Sequence, residues 1–229
     1  MGTDNLFHKK RIRRERELIR RANIRSGYDV VLIICEGAKT EPNYFKALRT
    51  HLRLNKENIV IHEGHKGNDP QSLAIAAEEA STKERSRDPE KQGYDRVFVV
   101  FDKDAHAGYN NALQKIDGLN KRFKGKFEAI VSVPCFELWL LLHFGYTTKP
   151  YAATGNKSPC DNLISDLEKH IPGYAKGAMG SFEKTKDFLD EAVKNARLLE
   201  QHQETARTDN PSTKVHHLVE CLRGLSKLS

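Results

Sequence analysis

The sequence has few of the features that mark disulfide-stapled or zinc-stapled proteins. Only four of its 229 residues are cysteines, at Cys35, Cys135, Cys160 and Cys221. They form no C-x-x-C pair and lack the Cys and His spacing of a structural zinc site. A chain of this length buries a sizeable core without staples, so we expect all four to be reduced, unlinked thiols.

Long apolar runs are also missing. The longest are residues 30–35, 97–101 and 138–142, far shorter than the roughly 18 to 20 residues that span a bilayer. The first residues are basic but are not followed by the apolar stretch of a secretory signal. We therefore expect a cytoplasmic protein that does not bind a membrane.

A third absence concerns nucleotide binding. The sequence contains no G-x-x-x-x-G-K-[ST] motif, the loop whose backbone N–H groups cradle phosphates in P-loop ATPases. If the function needs ATP hydrolysis, we expect a partner protein to supply it.

Positive charge is concentrated at one end of the chain. The formal net charge is +7, and residues 1–27 carry nine Lys or Arg against three acidic residues. Clustered basic residues are typical of phosphate binding by counterion release, so we predict a nucleic-acid-binding arm. Its predicted contacts are Lys9, Lys10, Arg11, Arg13 and Arg14. The alternative is a charged segment that only keeps the protein soluble.

The order of elements predicts an α/β fold. β-Branched apolar runs predict strands at residues 29–35, 58–62, 94–102 and 126–133, with helices from residue 40, over 69–84 and over 107–123 between them. This alternation favours a mainly parallel sheet flanked by helices, over residues 28–146. After a short apolar helix at 134–144 and a connection at 147–159, only helices are predicted, at 163–170, 182–202 and 215–225. Residues 147–229 are thus a predicted helical extension that packs on the core.

Acidic residues follow two of the predicted buried strands. Glu36 follows the first strand, and Asp102 and Asp104 end the third. Open α/β sheets bind ligands at the carboxyl ends of their strands, and the two-residue period directs both aspartates to one side. Such a cluster needs a hard cation, so we predict Mg²⁺ or Mn²⁺ there. The alternative is that single acids cap helices or pair with lysines.

Three further places carry acidic or histidine side chains for which the local pattern alone predicts no catalytic role. Glu137 lies in the most apolar segment, either on the exposed side of its helix or facing inward towards a metal, Arg or Lys. The segment 62–65 reads HEGH, not H-E-x-x-H, and is predicted to be a polar loop. His216 and His217 are adjacent on the last helix, so we expect them to diverge into solvent without sharing a metal.

Four segments together resemble a known family. They are CEGAKTEPNYF at 35–45, FDKDAH at 101–106, PCFELWLLLHF at 134–144 and NPST at 210–213. A strand-end glutamate followed later by D-x-D resembles the TOPRIM domain, and the four segments in this order look like the RloB-like family. The resemblance implies a Rossmann-like TOPRIM fold and a nuclease encoded beside an AAA-type ATPase in prokaryotic restriction or phage-defence (abortive-infection) loci.

The resemblance also implies roles for individual residues. Glu36 would be the catalytic acid or base, and Glu36, Asp102 and Asp104 would form the catalytic and Mg²⁺-binding set. The supporting family-motif positions are Gly37, Lys39, Glu41, Glu137 and Asn210. Ala38 stands where such proteins often have an acidic residue.

Among TOPRIM proteins, this chain is too short and lacks the zinc ligands for a topoisomerase or a DnaG-type primase. Phosphodiester hydrolysis by metal-activated water is then the expected activity. The alternative is a non-catalytic module that binds nucleic acid or docks on the ATPase. DNA and RNA are both open as substrates, and so is homo-oligomerisation.

The arm gives the first testable prediction. Deleting residues 1–27 should weaken nucleic-acid binding and flatten its salt dependence, because fewer counterions are released on binding. The measurement is the slope of log affinity against log salt concentration for both proteins. An unchanged slope would show that the arm only solubilises.

Overall fold

A five-stranded sheet forms the centre of the molecule. The computed structural model describes residues 29–64, 69–87, 93–103 and 108–226, so the predicted arm and Asp104 lie outside the described residues. The strands are β1 (Val31–Cys35), β2 (Ile59–His62), β3 (Arg96–Asp102), β4 (Phe127–Val133) and β5 (Ser212–Thr213). Their order is β2-β1-β3-β4-β5, with the first four parallel and β5 antiparallel to β4.

Helices cover both faces of this sheet. They are α1 (Thr40–His51), α2 (Pro70–Arg87), α3 (Tyr109–Arg122), α4 (Glu137–Leu141), α5 (Pro159–Leu167), α6 (Ser181–Thr185), α7 (Leu189–Ala206) and α8 (Val215–Ser226), with a 3₁₀ turn at Lys186–Phe188. Alternate residues of the buried strands point to opposite faces. One face packs on α2 and α3, and the other packs on α1 and α4 to α8. The predicted α/β, Rossmann-like, mainly parallel fold is confirmed.

The C-terminal region is mainly helical, as predicted, but it also contains a short strand that the sequence did not indicate. β5 extends the sheet, and its Thr213 Oγ1 lies 2.9 Å from Ser132 Oγ in β4. A strand of two residues is too short to show an alternating pattern. The helix predicted over 182–202 is interrupted at Lys186–Phe188. Apolar residues on both sides of the predicted boundary at 146/147 share one buried cluster, and the division itself stays a prediction.

Helix α5 starts four residues earlier than predicted because it is capped. Ser158 Oγ accepts the backbone N–H of Asp161 at 3.1 Å, and the Asp161 carboxylate accepts the backbone N–H of Ser158 at 2.8 Å. Pro159 occupies the first helical position, where its missing N–H costs nothing. The first turn of this helix carries Cys160.

Two cysteines contradict the expectation of four unlinked thiols. The start of α5 packs beside α4, which brings Cys135 and Cys160 to a Cα–Cα distance of 5.8 Å, and they form a disulfide. Their separation of 25 residues matches no spacing motif. Cys35 and Cys221 are free, as predicted.

The two adjacent histidines of α8 also differ from the prediction. His216 is buried and His217 is partly exposed, and the Nε2 atoms of both lie 3.0 Å from Glu200 Oε2 in α7. They therefore converge on one carboxylate.

The sequence also predicts that no segment spans a membrane, and no helix in the described ranges is long and apolar enough to do so.

His143, directly after α4, makes stability depend on pH. Burial lowers the pKa of this imidazole to about 4, while Nδ1 lies 2.9 Å from the Trp139 carbonyl. The unfolded chain binds the proton more readily, so stability present above the unfolded pKa of 6.5 is lost as pH falls towards 4. Between pH 7 and 5 this loss should be about 2 kcal/mol.

Urea denaturation at both pH values tests this contribution. His143→Phe should reduce the difference in unfolding free energy between the two pH values, and His170→Gln, which changes an exposed ring, should not. An equal pH dependence in wild type and His143→Phe would contradict the assignment.

Candidate functional site

Two acidic residues meet where adjacent parallel strands end. Glu36 follows β1, and its backbone N–H donates to Val100 O in β3 at 2.9 Å. Its carboxylate Oε2 accepts the backbone N–H of Asp102 at 3.0 Å. The sheet therefore holds Glu36 against the end of β3. Glu36 and Asp102 lie together at one edge of the sheet, as predicted.

A third carboxylate comes from the first turn of α1. Glu41 is buried beside Gly37, and a Cβ at residue 37 would lie 2.2 Å from Glu41 Oε2. A side chain at residue 37 would force this carboxylate to move from its observed position. Burial raises the pKa of Glu41, the nearby Glu137 raises it further, and the backbone N–H groups of Glu41 and Gly37 oppose the shift.

Glu137 supplies a fourth carboxylate at the start of α4. Its side chain is 0% exposed, so of the two orientations left open by the sequence the inward one is correct. Oε1 accepts the hydroxyl of Tyr174 at 2.9 Å. Oε2 lies 3.7 Å from Cys160 Sγ, which as a disulfide sulfur has no proton to donate. For the same reason Cys135 and Cys160 cannot join Glu137 as thiolate metal ligands.

A lysine lies between two of these acids. Lys176 Nζ is 3.8 Å from Asp102 Oδ2 and 4.0 Å from Glu137 Oε2. The segment that carries it is fixed to α1, because the backbone N–H of Gly177 donates to Thr40 Oγ1 at 2.9 Å. Sequence reasoning missed both Lys176 and Tyr174. Their positions far from the acidic motifs gave no spacing signal, although a buried Glu137 requires a basic or hydrogen-bonding partner.

Electrostatics at this edge oppose ionisation of the acids. The pKa of Asp102 is well above its ordinary value, first because the carboxyl is buried and then because Glu41, Glu137 and Glu36 are negative neighbours. Lys176 lowers this pKa, and its ammonium lies within 4.0 Å of both Asp102 and Glu137. Buried like charges of this kind are stabilised by a cation or by protonation. The oxygen donors suit a hard divalent ion.

The other predicted site residues have different positions. Lys39 is exposed at the start of α1. Asn210 uses its side-chain amide on the backbone of Tyr151, donating to O at 2.7 Å and accepting from N at 3.1 Å. Lys103 forms an ion pair with Asp209. Asn210 thus holds a loop, while Asp104 and the arm residues Lys9, Lys10, Arg11, Arg13 and Arg14 lie outside the described part of the chain.

Asp102 gives a prediction about stability. The pKa of Asp102 is raised on folding, so its ionised carboxylate destabilises the folded state. This destabilisation disappears as pH falls through the folded pKa and the carboxyl is protonated. In metal-free protein at neutral pH, Asp102→Asn should therefore raise the unfolding temperature, by a few degrees for about 1 kcal/mol. Mg²⁺ should stabilise the wild type and have little effect on the variant. Calorimetry with chelator and with Mg²⁺ measures both changes.

The matched control is Asp187→Asn, which removes an exposed carboxylate from the 3₁₀ turn. It should change neither the metal-free unfolding temperature nor the Mg²⁺ response. A lower unfolding temperature for metal-free Asp102→Asn would contradict the proposed repulsion.

Comparison with known proteins identifies the family. A family model described as RloB-like protein matches residues 31–222, which is most of the chain. No curated protein and no solved structure matches. The matched range contains Glu36, Glu41, Asp102 and Glu137 of the acidic edge, together with Tyr174 and Lys176. The chain belongs to the RloB-like family.

Proposed function

We propose that this protein is a metal-dependent nuclease that hydrolyses phosphodiester bonds in nucleic acid. The observation that carries the proposal is the contact of Glu36 with the end of β3 beside Asp102, in a buried edge with an excess of carboxyl groups. This edge lies at the carboxyl ends of parallel strands, where open α/β sheets bind their ligands. A buried acidic edge is chemically suited to a cation that in turn binds phosphate.

The donor set fits Mg²⁺ or Mn²⁺. Carboxylate oxygens are the ligands these ions prefer, and the raised pKa of Asp102 marks a place where positive charge is stabilising. Among the described residues, no three of these carboxylates bring oxygens within 4.8 Å of one another. Asp104, which the sequence motif proposes as a further ligand beside Glu36 and Asp102, lies outside the described residues. When bound, the ion lowers the pKa of an attacking water and offsets phosphate charge.

The protein's own residues orient the reactants. The hydrogen bond from the Asp102 backbone fixes the Glu36 carboxylate, as a general base that accepts a proton from water requires. Tyr174 fixes Glu137 by a hydrogen bond. Lys176, with a half-exposed side chain, lies close enough to the acids to contact a phosphate oxygen bound at this edge.

The wider biological assignment belongs to the same proposal. The substrate is nucleic acid, DNA or RNA, held in part by the basic arm at residues 1–27. The partner is an AAA-type ATPase, as the resemblance to the RloB-like family implies, and the sequence itself contains no P-loop motif. We propose that the two act together in the cytoplasm as effectors of phage defence. Family membership supports this context.

A cleavage assay tests the activity. Purified protein, alone and with its ATPase partner, is incubated with single-stranded DNA, duplex DNA and bulk tRNA, with Mg²⁺, Mn²⁺ or chelator. Metal-dependent cleavage is expected, and Asp102→Ala or Glu36→Gln should reduce it by roughly 100-fold or more. Lys176→Met should lower the rate less, because it removes charge stabilisation but leaves the carboxylates.

Two controls make the result specific. Asp187→Asn and Lys184→Met change exposed residues and should cleave like the wild type. Cleavage that persists in Asp102→Ala would place the active centre elsewhere. Binding of nucleic acid without cleavage, with or without the ATPase, would instead favour the non-catalytic binding module.

A further inference from the structure

A second group of ligating side chains lies away from the acidic edge. Glu200 of α7 and the adjacent His216 and His217 of α8 bring one oxygen and two nitrogens within 4.8 Å of one another. Glu128 of β4 contacts the same group through His217. In β4, Ser132 pairs with Asp102, and Glu128 lies four residues earlier, about 13 Å along the strand. The cluster is therefore separate from the acidic edge.

The two imidazole nitrogens and the carboxylate oxygen lie close enough together to bind one ion. His216 Nε2 and His217 Nε2 each lie 3.0 Å from Glu200 Oε2. The two rings are inclined at 76° with centroids 4.4 Å apart, so their Nε2 atoms approach from different directions. Tetrahedral zinc with ligands at about 2.0 to 2.1 Å spaces its ligand atoms about 3.3 Å apart. Small side-chain shifts would lengthen the two distances from Nε2 to Glu200 Oε2 to that value.

His217 is oriented as a metal-bound histidine is. Its Nδ1 lies 2.7 Å from Glu128 Oε1, so a proton on Nδ1 is donated to this carboxylate. That tautomer leaves a lone pair on Nε2, directed towards Glu200 and His216. A carboxylate that holds the outer nitrogen of a ligating histidine is the common outer contact of zinc sites.

Without a cation, the two imidazoles share one carboxylate oxygen. Both Nε2 atoms meet the same Glu200 oxygen, so His217 must carry protons on both nitrogens to bond both carboxylates. His216 is 1% exposed, and within the described chain its Nδ1 has no hydrogen-bond partner. A divalent ion would instead accept a lone pair from each imidazole Nε2 and from the Glu200 oxygen. The two N–H groups would then no longer compete for that oxygen.

We propose that Glu200, His216 and His217 bind Zn²⁺, with Glu128 holding His217. Two histidines and a carboxylate, with a fourth position for water, are a zinc donor set. Glu200 and His217 are each about a third exposed, 29% and 32%, which gives the ion a path from solvent. The bound ion would join α7, α8 and β4. This role stabilises the fold and does not depend on the proposed nuclease activity.

The outer nitrogen of His216 limits the affinity. With Nε2 on the ion, the proton moves to Nδ1, which has no acceptor among the described residues. Loss of one such outer contact typically weakens metal binding by roughly 10 to 100-fold. We therefore expect weaker binding than at a site where both histidines have outer acceptors.

Titration of the full chain with zinc tests the site. Chelator-treated protein should bind Zn²⁺ by calorimetry and unfold at a higher temperature with zinc. Co²⁺ in the same site should show the strong visible bands of a tetrahedral ion, unlike Co²⁺ at an all-oxygen octahedral site. Glu200→Gln and His217→Gln should each weaken binding at least roughly tenfold and remove these bands.

The control variant is His202→Gln, which changes a histidine two residues after Glu200 on α7. It should bind zinc like the wild type, and Asp102→Asn, which alters the acidic edge, should keep the Co²⁺ bands. Glu200→Gln and His217→Gln are preferred to changes at buried His216, which risk misfolding. Equal zinc affinity in wild type and Glu200→Gln, or Co²⁺ bands that persist in both variants, would overturn the proposal.

Discussion

The burial of like charges at the carboxyl ends of β1 and β3 is the constraint to which the surrounding structure responds. Asp102 and Glu41 are both shielded from water and both close to other carboxylates, which raises the pKa of each. Several polar groups that the fold places beside these acids offset this cost. Backbone N–H groups face Glu36 and Glu41, a hydroxyl faces Glu137, and one ammonium lies between two acids. The absence of a side chain at Gly37 leaves the space that Glu41 needs.

The C-terminal part of the chain is a component of this edge. Tyr174 and Lys176 follow α5, yet they are the hydrogen-bond and charge partners of acids that come from α4 and β3. The bond from Gly177 to Thr40 ties that segment to the first turn of α1, next to Glu41. An α/β core that ended near residue 146 would lack both the hydroxyl that bonds Glu137 and the ammonium beside Asp102.

Local sequence patterns predicted the sheet and the two strand-end acids because both depend on short-range information. A run such as residues 31–35 is apolar at every position, which indicates a strand covered on both faces, and an acid directly after it must lie at the ligand-binding edge. The partners of those acids were not predictable in this way. Lys176 and Tyr174 reach the site through the packing of α5, and Cys135 meets Cys160 through the same contact. Contacts across such separations leave no period in the sequence, and a two-residue strand such as β5 leaves none either.

The short strand β5 nevertheless determines more than its length suggests. The contact between Thr213 and Ser132 fixes its register on β4. Four residues before Thr213, Asp209 pairs with Lys103, the neighbour of Asp102, and three and four residues after it, His216 and His217 reach Glu200. A shift of one residue in this register would turn every side chain of β5 to the opposite face and move both flanking segments by about 3.3 Å. Contiguity alone does not make two sites communicate. It does link two segments to the register of β5: the one with Asp209, which pairs with the neighbour of Asp102, and the one with the histidine cluster.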